Sequence, residues 1–159
     1  MIIPQLIERY AAGPDLLERS VRGLAPAALD AHPVPGTWSI RQIVVHLMDS
    51  DVIASYRMKW IIAHDEPRIQ AYAQDRFVER LNYRIHDTDL ACALFRANRA
   101  ITAAMLRSLP PAAFERSGMH EERGRITLGE LLKIYTDHLD HHLAFIHKKR
   151  AMLGAPVNV

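Results

Sequence analysis

The stretch Tyr135–His147, YTDHLDHHLAFIH, places four histidines in thirteen residues. Imidazole is the commonest protein metal ligand and the usual proton carrier near neutral pH. On a helix the four do not act together. His138 and His142 are four residues apart, so they lie one above the other on one face. Both fall on or beside an apolar stripe that includes Leu128, Leu131, Leu132, Tyr135, Leu139 and Phe145. Two imidazoles so placed can converge on one ion, with Zn–N distances of about 2.0–2.1 Å. His141 points roughly 100° away and is expected at the surface beside Asp137, its i−4 neighbour. His147 is expected in solvent. The H-E-x-x-H pattern of zinc proteases needs Glu after the first His. Leu139 stands there, so that mechanism is not expected.

Two ligands from one helix leave a site open, and a third should come from a helix packed alongside. His46 is the histidine deep inside another amphipathic segment, flanked by Ile43, Leu47, Ser50 and Ile53. A buried histidine needs a partner for each ring nitrogen. Two readings are open on the residues alone: a core imidazole bonded to a neighbour, or the third metal ligand. Three neutral imidazoles would leave a divalent ion its full charge and an open position, as in catalytic zinc sites. A water there would have its pKa lowered toward about 7, and a thiol would be activated as thiolate. Asp49, three residues after His46, is the candidate to orient an imidazole or accept a proton, with a solvated carboxylate as the alternative. His120 is expected in a loop before the last helix, at the mouth of the site. Trp38 is expected to pack at a helix start.

Four long segments have helical periodicity and must position these groups. The first runs from about Ile2 to Arg22, with Leu6, Tyr10, Leu17 and Val21 at near-helical intervals. Gly13-Pro14 marks a kink in it or a late start at Asp15. The second opens at an S-x-x-Q capping box, Ser39 to Gln42, and ends near His64 before Pro67. Its stripe is Ile40, Ile43, Leu47, Ala54 and Ile61, with Arg41, Met48, Asp51 and Lys59 elsewhere. The third runs from about Thr88 to Leu109 with Leu90, Leu94, Ile101, Met105 and Leu109 as its stripe. The fourth opens at a second capping box, Thr127 to Glu130, and runs to about Met152. Between the second and third, QDRFVERLNYR reads as a short helix with Phe77 and Leu81 buried. Arg76, Arg80 and Arg84 then share a face, solvated or contacting an anion. No strand pattern is convincing. These elements predict an all-α four-helix bundle in one domain, residues 1–159. The long connection between helices 2 and 3 can act as a crossover, so a topology other than simple up-down-up-down is expected.

Composition narrows the function classes. Hydrophobic residues make up 49% and charged residues 24%, with 20 Lys+Arg against 18 Asp+Glu. A net charge of +2, with no basic run among stacking aromatics, gives no case for nucleic acid. The N-terminus lacks a signal-peptide pattern, and no apolar run suggests a membrane span. The single Cys92 excludes an internal disulfide. A cytoplasmic location is expected.

Several of these pieces, in order, resemble the DinB-like superfamily, including its YfiT group of metal-dependent hydrolases. TWSIRQIVVHLMDSD is similar to the family's W-S helix start and ligand histidine, here Trp38, Ser39 and His46. SGMHEERGRITLGELLKIYTDHLDHHLAFI is similar to its H…G…T-x-x-E/W-L-L…H-x-x-H-H…I segment: His120, Gly124, Thr127, Leu131, His138, His141 and His142. The resemblance covers about residues 5 to 150. After the last ligand many members continue R-G-Q, where this chain has Leu143-Ala144-Phe145. The resemblance implies a DinB/YfiT-type bundle with one divalent ion, zinc or nickel, on His46, His138 and His142. It also implies a small-molecule substrate and a homodimer. Three functions fit: a hydrolase, a transferase or isomerase using a low-molecular-weight thiol, or a non-enzymatic metal-binding stress or interaction module. For the thiol's carboxylates the candidate is the Arg76/Arg80/Arg84 face.

Overall fold

The computed structural model describes residues 2–157. Four long helices carry the fold: α1 (Ile3–Val21), α3 (Ile40–Ala63), α5 (Thr88–Arg107) and α6 (Leu128–Met152). Two short helices, α2 (Pro26–Asp30) and α4 (Gln74–Arg80), lie in the connections. Three short strands, β1 (Arg68–Ile69), β2 (Ser117–His120) and β3 (Gly124–Thr127), form a small sheet. β2 and β3 are an antiparallel hairpin, and β1 adds to β2 in parallel.

The helix starts follow the sequence chemistry. Ser39 Oγ accepts from the Gln42 amide at 3.2 Å, and Gln42 Oε1 accepts from the Ser39 amide at 2.8 Å. Thr127 and Glu130 make the same reciprocal pair at α6. Both boxes fix the phase of a helix that carries histidines of interest.

α1 packs on α5 and α6, and α3 packs on α5 and α6. The chain therefore crosses the bundle diagonally twice, from α1 to α3 and from α5 to α6. The long connection between α3 and α5, residues 64–87, joins neighbours. The non-simple topology is as expected, but the crossings are elsewhere. The α1–α3 crossing uses the proline-rich segment with α2, and the α5–α6 crossing uses the hairpin.

Several local expectations are corrected. α1 runs unbroken through Gly13 and Pro14, both buried. A Cβ at Gly13 would come within 2.7 Å of Leu139 Cδ2, and would collide with the Arg99 guanidinium. Glycine is there for close approach, not as a break. On α5 the buried face is Ala91, Cys92, Phe95, Arg99, Thr102, Ala103 and Leu106. Leu90, Leu94 and Ile101 are 72%, 48% and 65% exposed. The sheet was missed because strands of two to four residues are too short to show alternation. On α4, Val78 is buried and Leu81 is half exposed.

The turned phase of α5 has a cause. Arg99 is buried and pairs with Asp51, its Nε donating to Oδ1 at 2.9 Å. Asp51, expected off the apolar stripe of α3, is 1% exposed. It also accepts from Asn98 Nδ2 at 2.7 Å and from Tyr10 Oη at 3.3 Å. Arg99 donates further to the carbonyls of Tyr10 and Tyr135, each at 3.0 Å. The guanidinium lies over the Tyr10 and Phe95 rings, 4.2 and 4.4 Å from their centroids. One polar cluster thus joins α1, α3, α5 and α6. Burial pushes the Asp51 carboxyl up, and Arg99, Asn98 and Tyr10 oppose it.

Candidate metal centre

His46 stands two turns inside α3, phased by the Ser39 box, and is fully buried. His138 and His142 stand one turn apart on α6. Across the α3–α6 contact the three Nε2 atoms face one another. His138 Nε2 lies 3.2 Å from His46 Nε2 and 3.1 Å from His142 Nε2. No other His, Cys, Asp or Glu joins this group among the described residues.

Two N–Zn bonds of about 2.05 Å spanning such a separation would enclose an angle of about 100°, close to tetrahedral. The spacing therefore fits an ion. The hydrogen-bond count points the same way. His138 Nε2 cannot satisfy two facing ring nitrogens well. The Nδ1 atoms of His46 and His142 are buried without a partner. Burial, with the neighbouring imidazoles, pulls all three side chains down to about 3. Each is neutral at pH 7, with a lone pair to give. Ligand histidines ordinarily donate their second nitrogen to a carboxylate or carbonyl. Here ring packing orients them instead. Trp38 stacks on His142 (6.1 Å between centroids, 6° between planes) and tilts against His46 at 4.8 Å. Trp38 is thus a wall of the centre as well as helix-start packing.

Two cavities meet this cluster. One, of about 410 Å³, reaches His138 and is lined by Ser50, Arg57, Tyr72, His120 and Tyr135, with Asp75, Glu122 and Arg123 among the residues around them. The other, of about 380 Å³, reaches His142 between Trp38, Ile43, Phe145 and Lys149.

The other candidate residues separate. His120 ends strand β2 instead of lying in a loop; it is buried and shares the first cavity with His138. Its Nδ1 accepts from the Glu122 amide at 3.2 Å, so the neutral ring carries its proton on Nε2. Burial and the nearby Arg57 lower its pKa. The Asp49 carboxylate accepts from the buried Tyr83 hydroxyl and stands outside the histidine group. His141 is exposed and edges onto Phe145 at 4.8 Å. Its expected partner Asp137 is taken by Lys133 and Arg9. His147 is exposed and bonds Ser20 Oγ at 2.8 Å. Arg76, Arg80 and Arg84 are exposed and line neither cavity. Cys92 is buried, which pushes its thiol up to about 12, so it is no nucleophile. Sequence reasoning missed Arg57 and Tyr135 as cavity residues. Tyr135 at i−3 from His138 was the available signal; Arg57 left none.

The profile of the DinB superfamily matches residues 9–146. The chain belongs to this superfamily. A relative from Oceanobacillus iheyensis, named "Putative metal-dependent hydrolase", is 33% identical over 92% of this chain and 84% of its own length. YfiT of Bacillus subtilis carries the same designation and is 29% identical over 89% of this chain and 80% of its own. The solved structure of YfiT, described as "a probable metal-dependent hydrolase with an unusual four-helix bundle topology", superposes with a TM-score of 0.90. It covers 95% of this chain and 87% of its own, at 28% identity. The diagonal connections of this superfamily member are in keeping with that description.

Proposed function

We propose that the chain is a metal-dependent hydrolase of a small molecule, with one divalent ion, zinc or nickel, held by His46, His138 and His142. The observation that carries this reading is the convergence of three neutral imidazoles, the His138 Nε2 lying 3.1–3.2 Å from the Nε2 atoms of buried His46 and His142, beside a cavity of substrate size. The ion, when bound, supplies Lewis acidity and lowers the pKa of a water at its open position. The chain does the rest. Trp38 fixes the imidazole planes. His120 presents Nε2–H at the cavity wall, where it donates to a substrate oxygen. Asp49 is a positioning residue: one turn from His46, it accepts from Tyr83 and so ties the segment after α4 to α3.

A second reading is transfer to a low-molecular-weight thiol. It is favoured by the two cavities that reach one histidine cluster from different sides, as two co-substrates would require. Self-association fits either reading. The exposed apolar positions of α5, Leu90, Leu94 and Ile101, follow one side of the helix, and support a homodimer.

The test is elemental analysis of untagged protein with His46→Ala and His142→Ala. About one equivalent of Zn or Ni, lost in both variants, is expected. Wild type that cannot be loaded would refute the metal-dependent readings together. Hydrolysis and transfer then separate by whether turnover of a screened ester or amide library requires added thiol.

A further inference from the structure

Arg57 is a buried cation without a buried counter-ion. It is 6% exposed, and no carboxylate lies within 4.0 Å of it among the described residues. Its Nη1 donates to Tyr135 Oη at 2.6 Å, and its Nη2 to the Gln70 carbonyl. Both acceptors are neutral. Of the other buried arginines, Arg99 has Asp51, and Arg150 is held by three carbonyls and lines neither cavity at the histidines. A buried charge is ordinarily paired, because desolvation without a partner is costly. Arg57 forms part of the lining of the cavity that also reaches His138, so the missing partner can enter from that side.

Tyr135 extends the argument. Its hydroxyl oxygen accepts from Arg57, so its own proton is free to donate into the same cavity. A guanidinium with unused N–H groups and a directed O–H form a fork for a planar anion. Exposed Asp75, Glu122 and Arg123 also line this cavity. Two acids against one base there disfavour a dianion. We propose that Arg57 and Tyr135 bind the carboxylate of a small monoanionic substrate, with its reacting end toward His138. The assignment rests on the reading of the histidine cluster as the reactive centre. It adds the substrate class: a compact carboxylic acid whose scissile group is separate from its carboxylate.

The test uses benzoate, its neutral isostere benzamide, and inorganic phosphate, titrated by calorimetry at low salt. Wild type, Arg57→Gln and the metal-depleted His142→Ala protein are compared, with metal content measured on each. Expected results are benzoate at least about tenfold tighter than benzamide, and a loss of at least about tenfold in Arg57→Gln at unchanged metal content. The preference for benzoate should persist in His142→Ala, because the anchor is not the ion. Equal binding of benzoate and benzamide overturns the proposal, as does a preference that vanishes with the metal. Phosphate binding more tightly than benzoate also overturns it. If Arg57→Gln fails to fold, Tyr135→Phe takes its place, with the same threshold. A metal-free wild type that still prefers benzoate sinks the hydrolase reading and keeps the anchor. A metal-replete protein without the preference does the reverse.

Discussion

Removing both members of the Asp51–Arg99 pair should cost much less than the sum of removing each. Both side chains are 2% exposed, so the pair is not screened by water. Asp51→Ala leaves a guanidinium buried against carbonyls and rings, and breaking such a pair costs about 3–5 kcal/mol. Arg99→Met leaves a buried carboxylate that can escape by protonation. At pH 7, protonating an acid of ordinary pKa about 3.9 costs about 4 kcal/mol, which caps the penalty near that value. In Asp51→Leu/Arg99→Met no charge is left buried. The bonds from Asn98 and Tyr10 to Asp51 are lost, as are those from Arg99 to the Tyr10 and Tyr135 carbonyls, at about 1 kcal/mol each. The double variant should therefore lie about 4 kcal/mol below wild type, against about 7–9 kcal/mol for the sum of the singles, a coupling energy of several kcal/mol. Urea unfolding followed by helix ellipticity reads this directly. In melting temperature each single variant should fall by roughly 6–20 °C. Single costs below about 1 kcal/mol, or a double variant at the sum of the singles, would refute the view that this pair holds four helices in register.

Two further outcomes follow from the same geometry. Ser39→Ala removes one half of a reciprocal cap, and should destabilise by about 1 kcal/mol; it should also weaken metal retention, because His46 depends on that helix start, and unchanged retention in a chelator competition would show that packing alone phases α3. In the metal-free protein the three imidazoles sit at about 3 against about 6.5 unfolded. The unfolded chain then takes up protons first as pH falls, so stability is full above pH 6.5 and is lost toward pH 3. Between pH 6.5 and 5 the loss is about 2 kcal/mol for one imidazole and at most about 6 for three. A urea midpoint that stays flat over that range would contradict the burial of the cluster.

What the sequence made legible is what depends on local rules. Ser39 and Thr127 marked two helix starts because a capping box is decided within four residues. The i, i+4 spacing of His138 and His142 gave a shared face, and the character of the segment around His46 gave an opposing one. What the structure turned otherwise depends on partners distant in the chain. Leu90, Leu94 and Ile101 make a better apolar stripe than Ala91, Cys92 and Phe95, and periodicity selects them. The true inner face includes Arg99, which is stable there only because Asp51, 48 residues earlier, is also turned inward. Neither residue reads as core alone. The same pair supplies a clearer link from fold to site than any apolar contact. Asp51 lies five residues after His46, and the Tyr135 carbonyl that Arg99 grips lies three before His138. The polar cluster thus clamps α3 and α6 next to the point where their imidazoles meet. An apolar seam can slide by a fraction of a turn and keep most of its burial. A fork of donors on one carboxylate and two carbonyls cannot, and the Nε2 atoms of His46 and His142, both held within 3.2 Å of His138 Nε2, require that register.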